Sequence, residues 1–265
     1  MFDNRVQGYN NLPALVHWRI TNIATETGTS INVFYSSRDC TASSVPTDLA
    51  YNDRRCYPVY WTQPYNVDPT LDFFHKYVVD RVEVQDLTEV SPTQVTAYTY
   101  LGTPAWHYDD VEIVKPEHRT YGQFRGYGRV EVRTGNTGHT VDSVHDKQTL
   151  TRTTYFRGMD ADVMPNNGRR PATVRNSLNE EVTDHRQFAD TAFEKEVFNG
   201  DSVSRISTSI TVPQVLGATA TRQRANLPAL TAELTGFSRS RTITDLAAGG
   251  TRTMTKTHRY DALAG

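Results

Sequence analysis

An antiparallel all-β fold is what this sequence predicts, on three observations. Apolar and polar residues alternate with period two along most of the chain, the pattern of a half-buried strand. Tight-turn signals recur between the alternating runs, at Gly28, Gly135-Asn136, Asn199-Gly200 and Gly249-Gly250. Threonine supplies about one residue in seven, which suits a pleated, half-solvated surface better than a helix.

The elements follow in order. Val16–Ile20 and Ser30–Tyr35 alternate on either side of Glu26-Thr27-Gly28-Thr29, predicting a hairpin around Gly28. Phe73–Val84 reads as one long strand, with Tyr77, Val79 and Arg81 on one face and Val78, Val82 and Val84 on the other. Thr93–Tyr100, Arg129–Arg133 and Thr149–Phe156 supply three more. Phe193–Phe198 enters Asn199-Gly200, a strong hairpin signal, and Val203–Val212 returns. Thr231–Asp245 and Thr251–Tyr260 flank Ala248-Gly249-Gly250. Helical periodicity is nearly absent, and its best candidate, Asp184–Lys195, reads equally well as a strand. A single β-rich segment over residues 1–265 is expected, with a soft boundary near 165–171 in Asn166-Asn167-Gly168-Arg169-Arg170-Pro171. Asn-Leu-Pro-Ala-Leu occurs at 11–15 and 226–230, but its flanks differ and no repeat follows.

Composition narrows the function classes. With 28 Lys+Arg against 30 Asp+Glu there is no cationic excess to displace counterions from phosphates, so general nucleic-acid binding is not expected. No run approaches the roughly 18 apolar residues of a membrane-spanning helix, so membrane insertion is not expected. Met1-Phe2-Asp3-Asn4 opens no cationic and apolar leader, so an export signal is not expected on this chain itself. Cys40 and Cys56 lie in a polar segment with no further ligands at zinc spacing. Their even count predicts a disulfide and with it an oxidising compartment, two free thiols being the alternative. Many strands are polar on both faces; Thr251–His258 carries one apolar side chain, Met254. Such strands suit a sheet wetted on both sides and held by ladder hydrogen bonds and cross-strand pairs, one piece of a larger curling sheet.

Several segments carry a resemblance. Gly122-Gln123-Phe124-Arg125-Gly126-Tyr127-Gly128-Arg129-Val130-Glu131-Val132 resembles the RGYGRVEV segment of bacterial Rhs/YD-repeat proteins, including the B component of insecticidal Tc toxins. Tyr155-Phe156-Arg157-Gly158-Met159-Asp160-Ala161-Asp162 is similar to the stretch that follows in large actinobacterial members. Thr27–Val33, Arg55–Trp61, Phe73–Val79, Glu194–Gly200 and Thr257–Asp261 resemble the same family in collinear order. The resemblance implies part of a large curved β-shell ahead of the Tyr-Asp repeats, in a fragment of a longer chain. It implies a non-enzymatic scaffold that encloses or displays a C-terminal cargo, with the rest of the shell and the cargo as partners. An extracellular or cell-surface setting goes with it. The chain lacks successive Tyr-Asp repeats, the autoproteolytic core motif and a variable toxin tip, so cargo release and toxicity are not carried over.

The residues offer sharper alternatives. Trp61, Trp106 and Tyr108 are candidates for glycan contact in a carbohydrate-binding β-module. Tyr57, Tyr60, Tyr98, Tyr100, Tyr121 and Tyr127 belong to the same aromatic set, which is expected rather to form cross-strand pairs holding a thin sheet together. Gly126, Gly128 and Gly158 evoke a phosphate loop, but no helix follows to receive an anion, and a bulge or kink is expected. Arg125 and Arg129 are expected to bridge strands. Asp160, Asp162, Asn166 and Asn167 lack EF-hand spacing and read as a solvated loop rather than a calcium site. His107, Asp109 and Asp110 come without a nucleophile elbow or a second histidine, and Glu194 and Glu196 read as a wet strand face. No catalytic residue, metal or cofactor is expected.

Overall fold

The structure, a computed structural model, describes residues 2–6, 14–136, 140–141, 144–145, 147–165, 168–200 and 203–261. The fold is all-β: every regular element among the described residues is a strand or a short 3₁₀ turn. The chain forms two units, 1–150 and 151–265.

The first unit begins with β1 (Phe2–Asp3), β2 (Val16–His17), β3 (Asn22–Ala24) and β4 (Thr29–Tyr35). It continues through β5 (Cys56–Trp61), β6 (Thr70–His75), β7 (Val79–Asp86), β8 (Gln94–His107) and β9 (Gln123–Thr134) to the short pair β10 (Thr140–Val141) and β11 (Val144–His145). Its main ladder runs β3-β4-β7-β8-β9, all antiparallel. The hairpin around Gly28 forms, but its first strand is Asn22–Ala24 rather than Val16–Ile20. Val16 and His17 pair instead with Asp3 and Phe2. Gly28 takes φ +80°, a left-handed turn geometry that costs glycine nothing.

The strand expected across 73–84 is broken at Lys76–Val78. There the chain leaves the β5–β6 hairpin, where the Lys76 N–H donates to Arg55 O at 2.6 Å. It then joins β4, where the Ser36 N–H donates to Val78 O at 2.9 Å. Val6, Cys40, Cys56 and Phe73 form a small buried cluster, with Val45 and Leu49 against it.

Cys40 and Cys56 are joined in a disulfide, Cα–Cα 6.2 Å. The loop between them is also closed by polar contacts. Asp39 accepts the Arg55 N–H at 2.8 Å, and Asn52 Nδ2 donates to Cys56 O at 2.7 Å. Cross-linking residues 16 apart removes loop entropy from the unfolded chain worth about 3 kcal/mol. Reduction, or the pair Cys40→Ser and Cys56→Ser, is expected to lower the urea-unfolding free energy by about that amount. A midpoint unmoved by dithiothreitol would show that the polar contacts alone hold the loop.

The second unit contains β12 (Thr149–Tyr155), β13 (Thr173–Arg175), β14 (Glu181–Thr183), β15 (Ala192–Phe198), β16 (Arg205–Arg224), β17 (Leu227–Asp245) and β18 (Thr251–Thr257). Its ladder runs β12-β15-β16-β17-β18, with β13–β14 a separate hairpin. Asp184–Lys195, ambiguous in sequence, is a 3₁₀ turn at Arg186–Phe188 followed by β15. The core is Phe156, Val174, Phe188, Phe193 and Ile210, with Val182, Val212 and Val215 packed on it. Each buried phenylalanine contributes roughly 1.5–3 kcal/mol.

β16 and β17 run far beyond that core. β15 pairs with β16 only between Arg205 and Ile210, and β18 pairs with β17 only from Arg239 to Asp245. From Pro213 to Arg224 on β16 and from Leu227 to Phe237 on β17, the two strands pair with each other. Six consecutive residues, Ala218–Gln223, are exposed, so both faces of this ribbon meet water. Every residue of β18 is exposed as well.

Candidate functional site

A concavity in the first unit starts from irregularities in the β8–β9 ladder. Between Leu101↔Arg129 and Pro104↔Tyr127, β8 carries an extra residue; between Pro104↔Tyr127 and Trp106↔Phe124, β9 does. Gly102 and Gly126 sit in these two bulges at φ +82° and +73°, conformations a Cβ would strain. The glycines of Arg125-Gly126-Tyr127-Gly128-Arg129 thus include a bulge residue, and a strand rather than a helix carries them.

A cleft of about 380 Å³ opens at these bulges, lined by Gly102, Pro104, Tyr98, Tyr100, Tyr127 and Thr99 together with Asp39, Asp53, Arg55 and Asp80. Tyr100 and Tyr127 lie ring to ring at 4.9 Å, and the Tyr100 hydroxyl donates to Val79 O at 2.7 Å. Burial pushes the Tyr100 hydroxyl up to about 12, helped by Tyr98, Tyr127 and Asp80. Burial also raises Tyr127, with Arg55 opposing and Asp39 assisting. Both phenols are therefore neutral at pH 7. Arg55 Nε lies 3.6 Å from Asp39 Oδ2. Asp53 and Asp80 are exposed.

The tyrosines of this cleft were legible as part of the aromatic set. Its aspartates were not, because they are scattered through three loops and strands and carry no motif.

The three aromatics singled out for glycan contact are engaged in packing. Trp106 is 3% exposed, stacks on Tyr57 at 4.9 Å, tilts against Phe124 at 5.1 Å and donates its indole N–H to Arg54 O at 2.8 Å. Trp61 donates to Asp72 Oδ2 at 3.1 Å and meets Phe74 edge-on. Tyr108 meets Tyr121 edge-on at 5.3 Å. Tyr57 and Tyr60 also have ring partners, Phe74 and His118. Such contacts contribute about 0.5–1.5 kcal/mol each beyond their buried area.

His107 is buried, with Nδ1 2.7 Å from Tyr108 O; Asp110 is buried, and Asp109 accepts from Val111 N–H and Gln123 Nε2. Asp160 accepts the Ala172 N–H at 3.0 Å, and the buried Asp162 pairs with Arg170 at 3.7 Å. Asn166 and Asn167 lie outside the described residues. Arg125 reaches Gln123 Oε1 at 3.4 Å along its own strand.

In the second unit Glu194 is buried and accepts from the Ser177 backbone N–H and hydroxyl. Glu196 lies between Arg152 at 3.6 Å and Arg205 at 3.9 Å, and Arg205 Nε also holds Asp245 at 2.9 Å. These four charged groups, with Phe198, Val203 and Ser204, line a second concavity of about 460 Å³. Its charges alternate in sign and largely satisfy one another. Arg152 also sits over the Phe198 ring at 5.0 Å.

Comparison with protein-family models, with curated proteins and with solved structures finds no match for this chain.

Proposed function

We propose that this chain is a non-enzymatic β-scaffold, a panel in the shell wall of a secreted or cell-surface Rhs/YD-repeat-type protein that encloses or displays a cargo polypeptide. One observation carries the reading: β16 and β17 extend past their neighbours as a ribbon wet on both faces, beside an edge strand, β18, exposed at every residue. A ribbon that meets water on both faces gains little from burial, and its free edges are templates for further strands. The Cys40–Cys56 disulfide agrees with export. The collinear motifs from Thr27 to Asp261 support the family part of this reading.

Hydrogen exchange tests this on the chain alone and on the longer polypeptide that contains it. In the chain alone, the outward-facing alternate amides of Thr251–Thr257 are expected to exchange within seconds. In the longer polypeptide they are expected to slow at least a hundredfold, as the next strand pairs with β18. Equal exchange in both would overturn the panel reading.

A further inference from the structure

We propose that residues 3–6 form an acid-released strap, docked on β6 only while the buried His75 beneath them is uncharged, a device independent of the scaffold role. The strap is a third strand on the β5–β6 hairpin. The Val6 N–H donates to Phe73 O at 2.9 Å, the His75 N–H donates to Asn4 O at 2.6 Å, and Arg5 pairs with Phe74 between them. His75 ends β6 and is 3% exposed. Its Nδ1 is sealed from water and has no hydrogen-bond partner among the described residues. Cys56 stands directly opposite on β5, and the Lys76 N–H donating to Arg55 O marks the two as a non-hydrogen-bonded pair, whose side chains lie close on one face. Val6 belongs to the same buried cluster as Cys40, Cys56 and Phe73, so lifting the strap uncovers the disulfide.

The chemistry of the ring makes this docking pH-sensitive. Protonation gives both ring nitrogens an N–H and adds a charge, so Nδ1 becomes a buried donor with no acceptor among the described residues. Such a group costs far more to keep from water than the neutral ring does. Charged and titratable groups surround it from every neighbouring element: Asp3 on β1, Arg38 and Asp39 after β4, Arg55 ahead of Cys56, and Lys76 and Tyr77 after β6. Cys56 itself is in the disulfide and does not titrate. Burial and then Arg38 hold the imidazole below its ordinary 6.5, against Asp3 and Asp39. An opened ring regains the ordinary value and binds more protons than the docked one, so docking weakens as pH falls through 6.5. The strap is the element that yields. β6 pairs with β5 at six positions beside the disulfide, whereas β1 has two pairs with β2 and the contacts above. Arg5 anchors the same strand on the opposite face of β6 through Asp72 at 3.5 Å, so the strap stays mostly docked at neutral pH.

The test is amide hydrogen exchange of the full chain at about pH 7.5 and about pH 5.5, each rate corrected for the intrinsic effect of pH, together with an NMR titration of the His75 ring. With an opened ring titrating near 6.5 and a docked ring below it, the opening equilibrium rises by up to about tenfold over that range. Protection of the Val6 and His75 amides is therefore expected to fall by about threefold to tenfold, while amides of the β8–β9 ladder stay within about twofold. His75→Phe, whose ring takes no proton, should remove the fall. His17→Gln, at the exposed imidazole opposite Phe2 on β2, should keep it. The His75 ring should titrate below 6.5, together with the loss of protection. The proposal is overturned by a fall under about threefold, by more than about a twofold fall in the β8–β9 ladder, or by a fall retained in His75→Phe or lost in His17→Gln. A ring that titrates at 6.5 with both amides still protected would overturn it too. That last measurement needs no variant, so it decides even if His75→Phe does not fold. None of these readouts involves β18, so this proposal and the panel reading fail separately.

Discussion

Asp184→Ala is expected to destabilise the protein by about 3–5 kcal/mol, among the largest effects of any single substitution outside the aromatic cores. Asp184 is 1% exposed, and its carboxylate collects three successive backbone donors: the N–H of Arg157 and of Gly158, both at 2.8 Å, and that of Met159 at 3.1 Å. Consecutive N–H groups converging on one anion form a nest. Hydrogen bonds to a charged acceptor contribute about 1.5–3 kcal/mol each, and they do not add fully when they share one carboxylate. The loop cannot readily relax to find other partners. Gly158 sits at φ +68°, and a Cβ there would lie 3.0 Å from the Arg186 backbone and from Ala189 Cβ, so the chain is pinned against the 3₁₀ turn. The Asp184 main chain also ties the same region, its N–H to Ala172 O and its carbonyl to the Asp160 N–H, each at 2.9 Å. Arg157 nearby has its guanidinium pushed down by burial, and the Asp184 charge opposes that shift. Asp184→Asn retains one acceptor oxygen but turns an amide N–H₂ toward donors, so about half the alanine loss is expected. Urea unfolding of the two variants decides: a loss below 1 kcal/mol in Asp184→Ala, or an asparagine variant worse than alanine, would refute the nest as the anchor.

How much of this was legible in sequence varies by element, for physical reasons. Turns with glycine at positive φ read directly, as at Gly28, Gly200 and Gly249-Gly250, because few other residues take that geometry cheaply. The period-two runs gave strand existence well and strand ends poorly. The return strand read as Val203–Val212 runs on past Pro213, a residue that removes a ladder donor: the β16–β17 register shifts between Val212 and Pro213 and again near Gly217, and the strand spans 20 residues in all, Arg205–Arg224. A shift of that kind absorbs a residue unsuited to the ladder and leaves no mark on the alternation beyond the residue itself. Pro104 in β8 is accommodated in the same way. The disulfide was one of two open readings, and the folded chain brings the two thiols together. The cleft was half legible. Its tyrosines stood out by type, but Asp39, Asp53 and Asp80 meet them only after two opposed bulges re-aim the β8–β9 ladder.

Scarcity of apolar surface explains why buried polar groups hold so much of this fold. The two apolar clusters contain four and five buried residues. Around them sit fully buried charged groups, Arg5, Asp72, Asp162, Asp184 and Glu194 among them. Such groups specify one arrangement only when every partner is present, so their removal is felt more than the loss of a surface ion pair, which is worth about 0–1 kcal/mol.

The Arg5–Asp72 pair gives the sharpest form of that argument, because its effect should depend on pH. Arg5 Nε lies 3.5 Å from Asp72 Oδ2, with both side chains essentially inaccessible. Asp72 also accepts the Trp61 indole N–H at 3.1 Å and the Phe73 N–H at 2.8 Å. Burial nevertheless raises its carboxyl above the ordinary 3.8, opposed by those two hydrogen bonds and by Arg5. A raised carboxyl means that the folded chain binds more protons than the unfolded one just above pH 3.8, so this group's contribution to stability falls as pH rises through that window. Arg5→Met keeps much of the volume and removes the cation. Asp72 is then a buried charge without its counter-ion, and a loss of about 3–5 kcal/mol is expected at pH 7. The carboxyl should rise further in the variant, so protonation relieves the penalty at a higher pH than in the parent. The difference in unfolding free energy between parent and Arg5→Met should therefore shrink as pH falls from 7 toward 4.5. Arg5→Met/Asp72→Leu should recover part of the loss and no more, since the Trp61 and Phe73 donors then lack an acceptor. A penalty for Arg5→Met that is the same at both pH values would mean that lost packing of the arginine stem, rather than the stranded carboxylate, sets its size.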